Sequence, residues 1–244
     1  MALIEEFDKT GNTLFRYRSY IPVVMYALAV LVLYFDQQNF ILANDLSASL
    51  ICFAVSVLGM FIRFLVIGFV PKATSGRNTR EQVAETVNTK GIYSLVRHPL
   101  YLGNFFMWLG IILYVGNVWF TICSCLLYWL YYERIMFAEE FFMRQKFGEA
   151  YTHWAAKVPA FWPKLGGWID PEMDFSIRNI LKREYSGFLA TVVSFLFLNV
   201  IKNYFESGTW QLNYFWVYFT VAAAVLTLIL KTLKKAGKLE VTGR

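Results

Sequence analysis

Charge is scarce in this chain. Asp, Glu, Lys and Arg make up 16% of its 244 residues, where a soluble domain carries about a quarter. That shortage argues against a water-soluble body, and the 57% share of apolar residues argues for an integral membrane protein. Histidine is scarcer still, with two residues, His98 and His153. Diiron desaturase or hydroxylase chemistry, which needs many histidine ligands, is excluded on that count. The chain has no His-Glu-x-x-His pair, no Gly-x-Ser-x-Gly elbow and no phosphate-cradling Gly-Lys-Ser/Thr run. Zinc proteolysis, serine hydrolysis and P-loop chemistry therefore lack a carrier, and no metal is expected. Cys52, Cys123 and Cys125 all lie in apolar runs and read as small buried hydrophobes rather than a disulfide framework. The acidic start, Met1-Ala-Leu-Ile-Glu-Glu-Phe-Asp8, has no basic n-region and does not read as a signal peptide. Internal repeats and low-complexity tracts are absent.

What is present is apolar length. A membrane helix needs roughly 20 apolar residues, and runs of that kind lie near 20–35, 46–70, 100–115, 118–137, 187–201 and 212–230. The first, third and fifth are short. Gly116-Asn117 is a tight-turn signal that predicts an antiparallel helical hairpin over 100–137. The fold class is thus all-α: an integral membrane protein of about six transmembrane helices, with a helical hairpin and a cytoplasmic segment that is part helical, part irregular. Three regions follow: 1–70 with two spans, 71–186 with a loop, the hairpin and the polar stretch 138–186, and 187–244 with two spans and a basic tail. With both termini inside, 21 of the 23 Lys and Arg residues fall on the cytoplasmic side, Lys202 and Arg63 being the exceptions. That is the asymmetry of the positive-inside rule. The net charge of +6 is then explained by topology and membrane lipid, and no nucleic-acid partner is expected.

The polar residues that remain bracket the hairpin. Arg97-His98-Pro99 stands at the mouth of the third span. Pro99 suits a first helical turn, whose free N–H groups and dipole favour a carboxylate or phosphate. Arg97 and His98 add cationic donors, although both equally suit ordinary interfacial anchors. Glu139-Glu140 lies past the fourth span, where a carboxylate suits an ammonium group. Adjacent helical residues diverge by about 100°, so one of the two, Glu139, is expected to face the site with Glu140 in support. The alternative is an i,i+4 pair of Glu140 with Arg144. Arg134 meets an anionic acceptor group or snorkels to headgroups. Arg63 is the one charge deep in a span, a position that marks a functional candidate, the alternative being a side chain that snorkels to the interface.

Taken in order, Val87-Asn-Thr-Lys-Gly-Ile-Tyr93, Arg97-His-Pro-Leu-Tyr-Leu-Gly103, Arg134…Glu139-Glu140, Lys146-Phe-Gly-Glu-Ala-Tyr151 and Val158-Pro159…Pro163 resemble the isoprenylcysteine carboxyl methyltransferase and phospholipid methyltransferase superfamily. The resemblance implies a membrane methyltransferase that uses S-adenosylmethionine on a lipophilic methyl acceptor. The acceptor is an isoprenylcysteine carboxylate, a phospholipid amine or a small hydrophobic molecule. It implies cofactor contacts at Tyr93, Arg97, His98, Pro99, Leu100, Tyr101, Gly103 and Glu139, with Asn78 and Val87 upstream. Arg134 would orient the acceptor and Glu140 would serve as a proton acceptor. The last two spans go beyond what the small family members need. The competing readings are an NADPH-dependent sterol-type reductase, which shares an Arg-His-Pro-x-Tyr block, and a non-catalytic membrane scaffold.

Overall fold

The structure is a computed structural model that describes residues 2–36, 46–71 and 84–243. It is all-helical among the described residues: α1 (Leu3–Tyr17), α2 (Ile21–Phe35), α3 (Leu46–Phe69), α4 (Pro99–Val115), α5 (Val118–Phe147), α6 (Glu149–Ala155), α7 (Ile177–Ser207) and α8 (Tyr214–Lys235). Each of the six expected apolar runs is a helix. Three of them, α3, α7 and α8, are long and apolar enough to cross a membrane. The pair α1 and α2, bent by 79°, makes a fourth crossing if taken together, and α4 is a shorter apolar helix. Large apolar side chains such as Ile51, Phe61, Leu126, Leu130, Leu228 and Ile229 face outward, as lipid-facing surface does.

Local chemistry fixes the hairpin. Pro99 occupies the first position of α4, where its missing N–H costs nothing. Gly116 ends α4 in the left-handed region at φ 84°, which a residue with a Cβ enters only at a cost. Asn117 then caps α5 by accepting the Phe120 N–H at 2.8 Å. The same Asn117 side chain donates to Asp36 at the end of α2.

The helix expected over 118–137 does not stop at residue 137, and α5 is not among the helices long and apolar enough to cross a membrane. Nothing between Val118 and Phe147 breaks a helix, so α5 runs 30 residues until Gly148, at φ 53°. The Glu139 region is thus a rigid continuation of the hairpin rather than a separate piece. In the same way α7 begins at Ile177, where Ser176 accepts the Asn179 N–H at 3.3 Å, and runs on to Gly208.

Small residues bring α3 and α4 together. A Cβ on Gly59 would sit 2.4 Å from the Gly103 carbonyl oxygen, and one on Gly110 would sit 2.2 Å from Ser56 Oγ. Ser56 uses that closeness to donate to the Met107 carbonyl at 2.8 Å. This is the small-residue seam by which membrane helices pack, where burial of apolar area gives no driving force. The main core gathers Leu33, Cys52, Tyr114, Phe195, Leu198 and Trp216 from five helices. Of the three cysteines only Cys52 is buried. Cys123 is exposed and Cys125 half-buried, flanking Ser124, which takes the buried position of this turn of α5, so the expectation of burial fails for them.

The first helix was not legible as an element of its own. α1 packs along α5: Phe7 meets Phe137 edge-on at 5.5 Å, and the Tyr131 hydroxyl donates to the Leu14 carbonyl. Gly11 lets the two backbones touch, since a Cβ there would lie 2.2 Å from the Arg134 carbonyl oxygen.

Candidate active site

The loop before α4 is held by the segment after α6. Arg97 N donates to the Pro159 carbonyl at 2.9 Å and His98 N to the Ala160 carbonyl at 3.1 Å. Arg97 Nη1 adds a 2.6 Å bond to the Ala155 carbonyl. The Val158-Pro159 stretch thus serves as a backbone clamp that sets the two cationic side chains at the entrance of α4.

From that entrance they reach across to α5. His98 Nε2 lies 3.1 Å from Glu140 Oε1, and His98 Nδ1 lies 3.5 Å from Glu139 Oε2. Arg97 Nε lies 2.9 Å from Glu140 Oε1. Its N–H is not aimed along that line, so it forms an ion pair but no hydrogen bond, and it is a buried donor without an aligned acceptor. Tyr101, one turn into α4, donates its hydroxyl to Glu139 Oε1 at 2.5 Å and stacks its ring on His98 at 5.7 Å.

The expectation that only Glu139 faces the site is corrected here. Both carboxylates reach His98, because the imidazole stands between them and presents one ring nitrogen to each. Glu140 pairs with Arg97 and His98, while Arg144 contributes only its nearby charge.

The electrostatics follow from that geometry. Burial penalises the imidazolium of His98. Bonds and charge from Glu139 and Glu140 outweigh that penalty and hold His98 above its ordinary 6.5. Burial acts on Glu140 as well, but the His98 bond and the charges of His98, Arg97 and Arg144 bring it below its ordinary 4.5. A doubly protonated His98 donating to both carboxylates satisfies all three groups.

The other expected site residues divide into three groups. Tyr93 and Val87 line a cavity of about 240 Å³ with Asn88, Gly91 and the end of α3, from Leu65 to Val70. The hydroxyl of Tyr93 is pushed up by burial and by the nearby Glu139 charge, so Tyr93 lies between the cavity and the cluster. Pro99 is buried at the start of α4, and Leu100 beside it is half-buried. Gly103 lies in the α3–α4 seam, where a Cβ would meet Arg63 Cγ at 2.6 Å. Arg134 turns to α1, with its guanidinium 3.3 Å above the Phe7 ring. Asn78 lies outside the described residues.

One constellation was missed. Arg63 forms a two-bond fork with Glu184 of α7, Nε to Oε2 at 2.7 Å and Nη2 to Oε1 at 2.8 Å, and Nη1 donates to Asn104 Oδ1 at 2.7 Å. The signal was half visible: a lone deep charge demands a partner. Sequence gives no register for a contact spanning 121 positions.

Similarity to known proteins coincides with this geometry. Residues 46–150 match the phospholipid methyltransferase family. This segment is similar to that family, and it begins at α3 and ends just inside α6, so it contains every side chain of the Arg97–His98–Glu139–Glu140 cluster.

Among relatives, a Schizosaccharomyces pombe protein-S-isoprenylcysteine O-methyltransferase is 38% identical over 78 residues, 32% of this chain and 33% of that one. A probable protein-S-isoprenylcysteine O-methyltransferase of Oryza sativa subsp. indica is 39% identical over 71 residues, 29% of this chain and 37% of that one. The cobalt-zinc-cadmium resistance protein CzcN of Cupriavidus metallidurans is 35% identical over 80 residues, 33% of this chain and 37% of that one. The chain spans about a third of the length of these relatives. No solved structure matches it.

Proposed function

We propose that this chain is an integral membrane methyltransferase that binds S-adenosylmethionine at the mouth of the α4–α5 hairpin and methylates a lipophilic acceptor. One observation carries the reading: Arg97 and His98 close on Glu139 and Glu140 across the hairpin, inside the matched segment.

The residues fit the cofactor. Arg97 holds a buried Nε–H without an aligned acceptor, which suits the amino-acid carboxylate. The Glu139 carboxylate, already held by Tyr101, suits the ammonium group. The rings of Tyr101 and Tyr132, 4.8 Å apart, suit a sulfonium cation. Tyr93 and Val87 extend the site toward the 240 Å³ cavity. When bound, the cofactor supplies an electrophilic methyl group. The chain's own part is to bind, orient and exclude water, since an in-line displacement gains most from positioning and desolvation.

Glu140, held below the usual carboxylate range by His98 and Arg97, is a poor proton acceptor. We therefore assign it the orientation of those two cations. An acceptor that carries no proton to lose, such as a carboxylate, suits this site better than a protonated amine. The acceptor's lipid part enters sideways between the helices, and Arg134 orients its polar end. The basic segments support a cytoplasmic position for both termini and the cluster.

Calorimetric titration of the detergent-purified chain with S-adenosylmethionine and, separately, NADPH tests the reading. Micromolar binding of S-adenosylmethionine alone is the expected result. Binding of NADPH alone overturns it in favour of a reductase.

A further inference from the structure

Glu184 lies outside the matched segment, on α7, yet it is 7% exposed and forked onto Arg63. A fork of two parallel bonds fixes the plane of a guanidinium as well as its charge. The third arm of Arg63 is thereby aimed at Asn104. Arginine has donors only, so Asn104 must present its carbonyl oxygen to Arg63. Its amide N–H2 is then turned away from Arg63, near enough to the Tyr132 hydroxyl to act on it.

From Tyr132 the contacts run on to Glu139. The Tyr132 ring packs 4.8 Å from the Tyr101 ring, and Tyr128 stacks on Tyr132 at 4.2 Å while donating to the Tyr101 carbonyl at 2.8 Å. Tyr101 then donates to Glu139 at 2.5 Å.

We propose that Glu184 is a positioning residue of the methyl-transfer site, acting through Arg63, Asn104 and Tyr132 to fix Tyr101 and the Glu139 carboxylate. The role of that carboxylate rests on the methyltransferase reading, whereas the coupling itself does not. The C-terminal helices thus complete the site rather than merely flank it. A carboxylate is required at 184, because an amide offers one acceptor and turns an N–H2 against the donors of Arg63.

The test is Glu184→Gln in the full chain, with two readouts. The first is the titration of His98 by NMR, with the exposed His153 as internal reference. The second is affinity for S-adenosylmethionine. The expected result is a displaced His98 midpoint with His153 unmoved, affinity weakened about tenfold, and partial recovery in Glu184→Asp.

Asn104→Ala cuts the relay while leaving the ion pair in place, and it is expected to displace His98 in the same way. It decides the matter if Glu184→Gln does not fold. An unchanged His98 titration in a folded variant overturns the proposal, even where affinity falls. If the parent chain binds no S-adenosylmethionine, the functional reading fails alone, and the His98 titration still decides the coupling.

Discussion

His98 is the residue on which the site turns. It sits where α4 begins, with its backbone clamped to Ala160 and its two ring nitrogens given to two carboxylates. Charge-assisted bonds of this kind are each worth about 1.5–3 kcal/mol. His98→Ala and Glu139→Ala are therefore expected to weaken S-adenosylmethionine binding by about tenfold or more, measured by calorimetry. Arg134→Ala is expected to leave that affinity unchanged, because Arg134 stacks on Phe7 away from the cluster, and to lower turnover through its proposed role at the acceptor's polar end.

The pH dependence has a definite sign. His98 is raised, so its contribution to stability is complete below 6.5 and is lost as pH rises through its elevated value. Glu140 is lowered, so its contribution is complete above 4.5 and is lost as pH falls through its depressed value. The cluster is thus most stabilising between 4.5 and 6.5. The melting temperature of the purified protein should fall on the alkaline side of that window, and His98→Gln should flatten that limb.

Among the helices, closeness rather than length decides the architecture. A methyl group added at Gly103 meets Arg63 Cγ at 2.6 Å and the Gly59 carbonyl oxygen at 2.9 Å. Gly103→Ala is expected to cost about 1–3 kcal/mol through overpacking, seen as a lowered melting temperature.

What the sequence disclosed at this scale was local. Pro99, Gly116 and Asn117 announce the hairpin because each acts on its own backbone. The pairing of Glu139 and Glu140 with His98 was legible as a juxtaposition but not as a geometry. An imidazole between two carboxylates defeats the simple rule that adjacent helical residues face apart. The docking of α1 on α5 was not legible, since it depends on Gly11 meeting a carbonyl more than a hundred positions away. Gly148, rather than the end of the apolar run, sets the length of α5. Hydropathy sees the membrane boundary, and the helix does not.

For the whole molecule, the Arg63–Glu184 fork ties the matched segment to the C-terminal helices. Removing one partner of a buried pair costs about 3–5 kcal/mol, because the other is left uncompensated. A chain cut before α7 is expected to yield little folded protein, and Arg63→Leu in the cut chain to recover part of the yield. A membrane extraction and gel-filtration profile of the two cut chains reads the difference. The missing half of this contact explains why Arg63 alone could not be interpreted from sequence: its meaning lies in a helix far along the chain.

The two arms of the hairpin differ in reach. With 17 residues, α4 rises roughly 26 Å, less than the roughly 30 Å of hydrocarbon in a typical bilayer. With 30 residues, α5 rises roughly 45 Å and projects beyond it. Glu140 of α5 meets His98 at the entrance of α4, so the last seven residues of α5 carry it roughly 10 Å past that level. Lipid chain length is accordingly expected to shift the titration of His98, the group at the shorter arm's entrance.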